Sequence, residues 1–135
     1  VSMLMIDLDN LKRINDRHGH AAGDQALSQI VRICQQSLAG NDVLGRLGGD
    51  EFCALLPGQD HVAAAGTAGR LIDAVRGEAY AFSSELKPSL SIGIATTQND
   101  ADDYDSLWLR ADSALYVAKR SGRNQIAQEE TGSLA

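Results

Sequence analysis

Short apolar runs alternate along this chain with longer stretches in which apolar positions recur at helical spacing. Met3-Leu4-Met5-Ile6 lies within one such run, Ser2 to Leu8, which ends in acid and predicts a buried strand. Asp9 stands where it can cap a short helix through Arg17, and Gly19 and Gly23 break the chain after it. A second helix is predicted from Asp24 to Ser37, with Ala26, Leu27, Ile30, Val31 and Cys34 on one face and Gly40-Asn41 ending it. Val43 to Leu47 and Glu51 to Leu56 read as two strands joined across Gly48-Gly49, a pair suited to the positive φ of a tight primed turn. Pro57 and Gly58 punctuate, and His61 to Val75 predicts a third helix. Tyr80 to Lys87 fits either an irregular segment or a short strand. Ser89 to Ala95 predicts another strand, and Tyr104 to Lys119 a fourth helix with Leu107, Ala111, Ala114, Leu115 and Ala118 inward. Gly122 ends that helix, Asn124 to Ala127 suits a last short strand, and the polar chain from Gln128 is expected to be loose. Strands interleaved with helices, plus one hairpin, predict an α/β (α+β) domain with a mixed sheet layered by helices.

Length and composition narrow this picture. The 135 residues suit one domain with one core, and 44% hydrophobic with 22% charged residues is ordinary globular usage. Twelve Lys+Arg against 18 Asp+Glu give a net charge of −6, which argues against a nucleic-acid binder that needs a basic face. A negative chain can still bind a polyphosphate if metal ions and a few local cations neutralise it. No apolar run is long enough to span a bilayer, and the start lacks a signal-peptide pattern, so no direct membrane insertion is expected; the location expected is cytoplasmic, with tethering to a membrane sensor in the full-length protein left open. Cys34 and Cys53 lack metal-ligand spacing and are read as reduced core residues.

Four features carry candidate chemistry. Asp7-Leu8-Asp9 closes the first strand; alternation puts Asp7 and Asp9 on one face, and a carboxylate beside a free backbone carbonyl suits Mg²⁺, although Asp9 fits a helix cap as well. In Arg46-Leu47-Gly48-Gly49-Asp50-Glu51-Phe52, two glycines permit close approach of a ligand, while the two acids after them serve either a metal or a solvated turn. Asn15 and Asp24 flank Gly19-His20-Ala21-Ala22-Gly23; an Asp and an Asn amide can read the edge of guanine, and Asp24 can equally cap a helix with Asn15 in a turn. Lys119 and Arg123 sit at a helix end, where cations complement the helix dipole or clamp phosphate oxygens. Together the four make a parts list for phosphoryl transfer, in which positioning and electrostatics do most of the work.

The same residues resemble the GGDEF family of diguanylate cyclases, from Met3 to about Ile126. Asp7-Leu8-Asp9-Asn10-Leu11-Lys12-Arg13-Ile14-Asn15-Asp16 is similar to that family's first block, and Gly19-His20 with Gly23-Asp24 to its second. Gly48-Gly49-Asp50-Glu51-Phe52 is its namesake motif, intact. Ser91-Ile92-Gly93-Ile94-Ala95 resembles its later strand, and Ala111-Asp112, Ala114-Leu115-Tyr116, Ala118-Lys119 and Gly122-Arg123-Asn124 its last helix and exit. The resemblance implies a central, largely antiparallel sheet like the palm of nucleotide cyclases and polymerases. It implies condensation of two GTP into cyclic di-GMP, with one GTP on each subunit of a homodimer. Asp7, the Leu8 carbonyl, Asp50 and Glu51 would hold Mg²⁺ or Mn²⁺, two ions per site, with Glu51 alternatively deprotonating the ribose 3′-hydroxyl. Asn15 and Asp24 would read guanine, Gly48 and Gly49 would lie against the nucleotide, and Lys12, Lys119, Arg123 and the amides from Leu11 would hold phosphates.

Two departures matter. Many relatives carry an inhibitory product site, Arg-x-x-Asp; here Ala39 replaces the Arg while Asp42 is present, so no feedback inhibition through it is expected. The family's lead-in segment is missing ahead of the first strand, so residues 1–127 are expected to be the catalytic domain of a longer protein with an upstream sensor or receiver, and 128–135 a polar tail. The alternative function is a GTP-binding regulatory module that has lost catalysis.

Overall fold

A computed structural model of the chain describes residues 1–80, 86–98 and 102–129. Its elements run β1 (Ser2–Asp9), α1 (Leu11–His18), α2 (His20–Ser37), β2 (Val43–Arg46), β3 (Glu51–Leu56), α3 (His61–Arg76), β4 (Ser89–Thr96), α4 (Tyr104–Arg120) and β5 (Ile126–Gln128). The five strands form one sheet in the order β2-β3-β1-β4-β5. All neighbours are antiparallel except β4 and β5. This is the mixed, largely antiparallel sheet expected from the sequence.

Central β1 is buried along its whole length, which is why it reads as an unbroken apolar run. Its two faces serve two different cores. Leu4, Ile6 and Leu8 join Ile30 and Ile33 of α2 and Ala68, Leu71 and Val75 of α3 on one side. Met3 and Met5 pack on the other side against Leu107, Ala111 and Leu115, so α4 covers that face. Cys53 and Leu55 of β3 belong to the same second face. Both cysteines are free, and burial pushes each thiol up to about 11, which keeps them inert.

Where the chain departs from expectation, the causes are tertiary. α2 begins at His20, not Asp24; Gly19 takes φ 90 and separates the helices, but Gly23 lies buried inside α2. Asp9 caps nothing: α1 is entered through Asn10 at φ 71 without a side-chain cap. Neither Gly48 nor Gly49 has a positive φ, so the β2–β3 link is not a primed two-residue turn. Residues Leu47–Asp50 form a longer loop, held by Leu47 N–H to the Glu51 carbonyl (2.9 Å) and by Arg46, which donates to the carbonyls of Gly48 (2.9 Å) and Gly49 (3.1 Å). Much of the ambiguous stretch after Tyr80 lies outside the described residues; Tyr80 itself donates to the Val75 carbonyl at 2.8 Å.

The chain at Gln128 is not loose, because β5 reaches that residue and Glu129 is pinned. Arg110 donates to both Glu129 oxygens (2.8 and 2.6 Å), to Asp102 (2.6 Å) and to the Thr96 carbonyl (3.1 Å). Residues 130–135 of the expected tail lie outside the described residues. Arg110→Ala is expected to cost on the order of 2 kcal/mol, since hydrogen bonds to charged groups are the stronger ones. A urea midpoint equal to the parent's would show that this network adds nothing. Among the described residues no helix is long and apolar enough to cross a membrane.

Candidate active site

Strand alternation and helix periodicity bring the charged groups together. Asp7 and Asp9 continue the Met3–Met5 face of β1, the face covered by α4. On α4 the inward stripe Leu107, Ala111, Leu115 continues one turn further to Lys119. The Lys119 ammonium therefore meets Asp7 Oδ2 at 2.5 Å. On the other side of β1, the ladder sets Glu51 directly opposite Asp7. One residue further on, the Leu8 amide donates to the Asp50 carbonyl at 2.9 Å, which holds the loop against the end of β1. Since the N–H and C=O of a strand residue point to the same side, the Leu8 carbonyl faces this edge one residue past the last ladder pair.

The electrostatics follow from this crowding. Burial holds the Asp7 carboxyl above the usual carboxylate range; the Lys119 hydrogen bond opposes it, and the charges of Asp50 and Asp9 add to the rise. Lys119 is raised in turn, chiefly by its hydrogen bond to Asp7, and it feels both Arg123 and Glu51. Asp7 is only 5% exposed, and its Oδ1 has no hydrogen-bond partner among the described residues. An orphaned, buried carboxylate oxygen flanked by two further acids is the donor chemistry that suits a hard divalent cation. Among the described residues no three Asp, Glu, His or Cys side chains are grouped so that they could hold a metal ion as they stand.

The residues expected to hold phosphates come from two elements, the start of α1 and the end of α4. α1 starts with its first-turn amides uncapped, because the Asn10 side chain donates instead to the Lys87 carbonyl at 3.1 Å. Leu11 and exposed Lys12 occupy that first turn. Arg123 follows α4 and lines a cleft of about 370 Å³ with Asn10, Arg76 and Lys87. Gly122, at φ 121, ends α4 by letting the Arg123 amide return to the Ala118 carbonyl at 3.0 Å.

Asn15 and Asp24 sit on α1 and α2, neither in the turn nor at the cap that their types also permit. The Asn15 amide packs against Gly23, oxygen end nearest: a Cβ there would stand 1.5 Å from Asn15 Oδ1. That oxygen is buried without a hydrogen-bond partner among the described residues, and Asp24, the residue after Gly23 in α2, is exposed.

Comparison with known proteins assigns the fold to a family. The family described as "Diguanylate cyclase, GGDEF domain" matches residues 1–125. The chain belongs to the GGDEF family. The GGDEF domain from YfiN of Pseudomonas aeruginosa superposes with a TM-score of 0.87 at 38% identity, covering 97% of this chain and 83% of that one. The active GGEEF domain of a diguanylate cyclase from Vibrio cholerae superposes at 0.89 with 30% identity and the same coverage, 97% and 83%. The probable diguanylate cyclase DgcT of Escherichia coli is 35% identical over 127 residues, 92% of this chain and 28% of that protein. This GGDEF domain spans about a third of the length of the curated relatives it matches.

Within the GGDEF domain, Asp42 is occupied locally: it accepts from the Ala39 amide at 2.9 Å and from Gln59 at 3.5 Å. Sequence reasoning missed one feature entirely. Asp9, 2% exposed, is a buried hub linking β1 to β4 and to the exit of α4 through Ser89, Ser91 and Asn124. The only available signal was the spacing of Ser89 and Ser91, which shares the two-residue period of Asp7 and Asp9.

Proposed function

We propose that this domain is the catalytic unit of a diguanylate cyclase, joining two GTP molecules into cyclic di-GMP. The observation that carries this reading is the orphaned Asp7 Oδ1, buried between Glu51, Asp50 and Lys119 at the foot of the Gly48-Gly49 loop. Those two glycines are required neither by a positive φ nor by crowding, since a Cβ on either meets nothing within 4 Å. Bare backbone in open space beside a cluster of acids and cations favours a bulky ligand lying against it.

In this reading each subunit of a homodimer holds one GTP, and twofold symmetry completes the site. The 3′-hydroxyl of each GTP attacks the α-phosphorus of the other; a new P–O bond forms, the bond to the β-phosphate breaks, and pyrophosphate leaves twice. Asp7, the Leu8 carbonyl, Asp50 and Glu51 would hold Mg²⁺ or Mn²⁺, two ions per site, which when bound offset the charge on the attacking and leaving oxygens. Glu51 serves that set or takes the proton of the 3′-hydroxyl. Lys12, Lys119, Arg123 and the open amides from Leu11 onward hold the β- and γ-phosphates. Asn15 and Asp24 read guanine, and the unpartnered Asn15 oxygen supports that role. An upstream sensor or receiver in the full-length protein and a cytoplasmic location complete the proposal, as does the absence of product inhibition at Asp42.

The decisive experiment fuses the chain to a dimeric coiled coil, supplies GTP and Mg²⁺, and measures cyclic di-GMP together with pyrophosphate. Both products are expected in a 1:2 ratio. GTP binding without product in the enforced dimer would leave only a silent regulatory module.

Gly23→Ala tests base reading. A methyl group there must displace the Asn15 amide, and the preference for GTP over ATP is expected to fall by about tenfold. Calorimetric affinities for both nucleotides check this; an unchanged ratio removes Asn15 from the role.

A further inference from the structure

We propose that Asp9 is a positioning residue for phosphate recognition, fixing the left-handed turn Arg123-Asn124 and so aiming the Arg123 guanidinium at the bound triphosphate. The inference rests on the reading of the site given above and adds to it a residue that touches no substrate.

Both Asp9 oxygens are occupied. Oδ2 accepts from Ser89 Oγ (2.7 Å), Ser91 Oγ (3.0 Å) and the Asn124 amide (3.0 Å), and Oδ1 accepts from Ser91 Oγ at 2.8 Å. The Asn124 amide also reaches Ser91 Oγ at 3.2 Å. A carboxylate at 2% exposure needs such partners, and here they are neutral hydroxyls and a backbone amide. The guanidinium of Arg123 stands 3.9 Å from Oδ1 and is 52% exposed, so Asp9 does not consume it. It remains available to a ligand.

The backbone explains why an anchor is needed. Arg123 (φ 65) and Asn124 (φ 51) are both non-glycine residues in the left-handed region, directly after Gly122. Such a run persists only where its surroundings impose it. The Arg123 amide is held from α4 by the Ala118 carbonyl, and the Asn124 amide from the sheet by Asp9 and Ser91. Without the second tie, the turn is free to relax toward extended backbone and to carry the Arg123 side chain with it. One face of β1 thus fixes the exit of α4 twice: Asp7 through Lys119, and Asp9 through Asn124.

Sign separates positioning from simple electrostatics. A negative charge beside Arg123 repels phosphate, so if charge were all that mattered, Asp9→Asn would tighten GTP binding. Positioning requires the opposite. Affinities of the full chain for GTP and for GMP, both with Mg²⁺, are compared in the parent, Asp9→Asn and Ser91→Ala. Ser91→Ala keeps the Asp9 charge and removes two of its bonds. Both variants are expected to weaken GTP binding by about tenfold, the scale of a hydrogen bond to a charged group. GMP, which lacks the β- and γ-phosphates, is expected to shift by less than about twofold. In an Arg123→Ala background, Asp9→Asn is expected to add nothing further, because both act through one group. Equal or tighter GTP binding, equal losses for GTP and GMP, or additive effects with Arg123→Ala each overturn the proposal. If Asp9→Asn does not fold, Ser91→Ala decides. A parent chain that binds neither nucleotide overturns the reading of the whole site, whereas a parent that binds GTP no better than its variants overturns this inference alone.

Discussion

Gly93→Ala is expected to destabilise the domain by about 3 kcal/mol or more, at or beyond the upper end of ordinary overpacking. Gly93 pairs with Met5 across the sheet and lies under α4. A Cβ there would stand 2.1 Å from the Leu115 amide nitrogen, 2.3 Å from the Ala111 carbonyl oxygen and 2.7 Å from the Leu115 Cα. All three atoms are backbone, so no rotamer change relieves the collision; α4 itself must move. That helix covers the Met3–Met5 face and carries Lys119 to Asp7, so its displacement costs packing and disturbs the site together. Gly66→Ala supplies the contrast. Gly66 is an exposed position in α3 whose Cβ would meet only the tip of Arg70, at 3.8 Å, and alanine there is expected to gain up to about 1 kcal/mol from helix propensity. Urea denaturation of the two variants should give shifts of opposite sign. A Gly93→Ala midpoint at the parent's value would mean that the α4 backbone at Ala111 and Leu115 does not lie against Gly93.

What could be read from the sequence depended on how local each cause was. β1 was legible because a strand buried on both faces leaves an uninterrupted apolar run. α4 was legible because its inward stripe keeps helical spacing from Leu107 to Ala118. The start of α2 was not, because Gly23 looks like a break by propensity; it is glycine to make room for Asn15, a residue of another helix. Gly48-Gly49 looked like a primed turn, yet the loop is closed by the Arg46 side chain and its glycines face open space. Asp9 looked like a helix cap because its real partners, Ser89, Ser91 and Asn124, are 80 or more positions away in the chain. In the candidate site the acids and cations were named from the sequence. What the sequence left open was their arrangement, with Glu51 opposite Asp7 and Asp50 one step beyond in the loop.

Asp50→Ala is expected to reduce Mg²⁺-dependent formation of cyclic di-GMP in the enforced dimer by a factor of about 10³, the scale of several kcal/mol of transition-state charge stabilisation. The fold should survive unchanged. Asp50 is exposed in the loop, and what ties that loop to β1 is its backbone carbonyl, bonded to the Leu8 amide, which the substitution leaves in place. Stability should even rise slightly, because the Asp50 charge disfavours ionised Asp7 and alanine removes that repulsion. Asp7→Ala should abolish turnover as well, but with a stability penalty, since it strips Lys119 of its 2.5 Å partner and opens a hole at a buried position. The pair of variants therefore separates chemistry from folding. Loss of product with an unshifted or raised melting temperature in Asp50→Ala, and loss of both in Asp7→Ala, is the pattern that a cation held between the two carboxylates demands. Turnover persisting in Asp50→Ala with its Mg²⁺ requirement intact would move the cation away from this loop, leaving Asp7 and Glu51, opposite each other on one face of the sheet, as the ligands to test next.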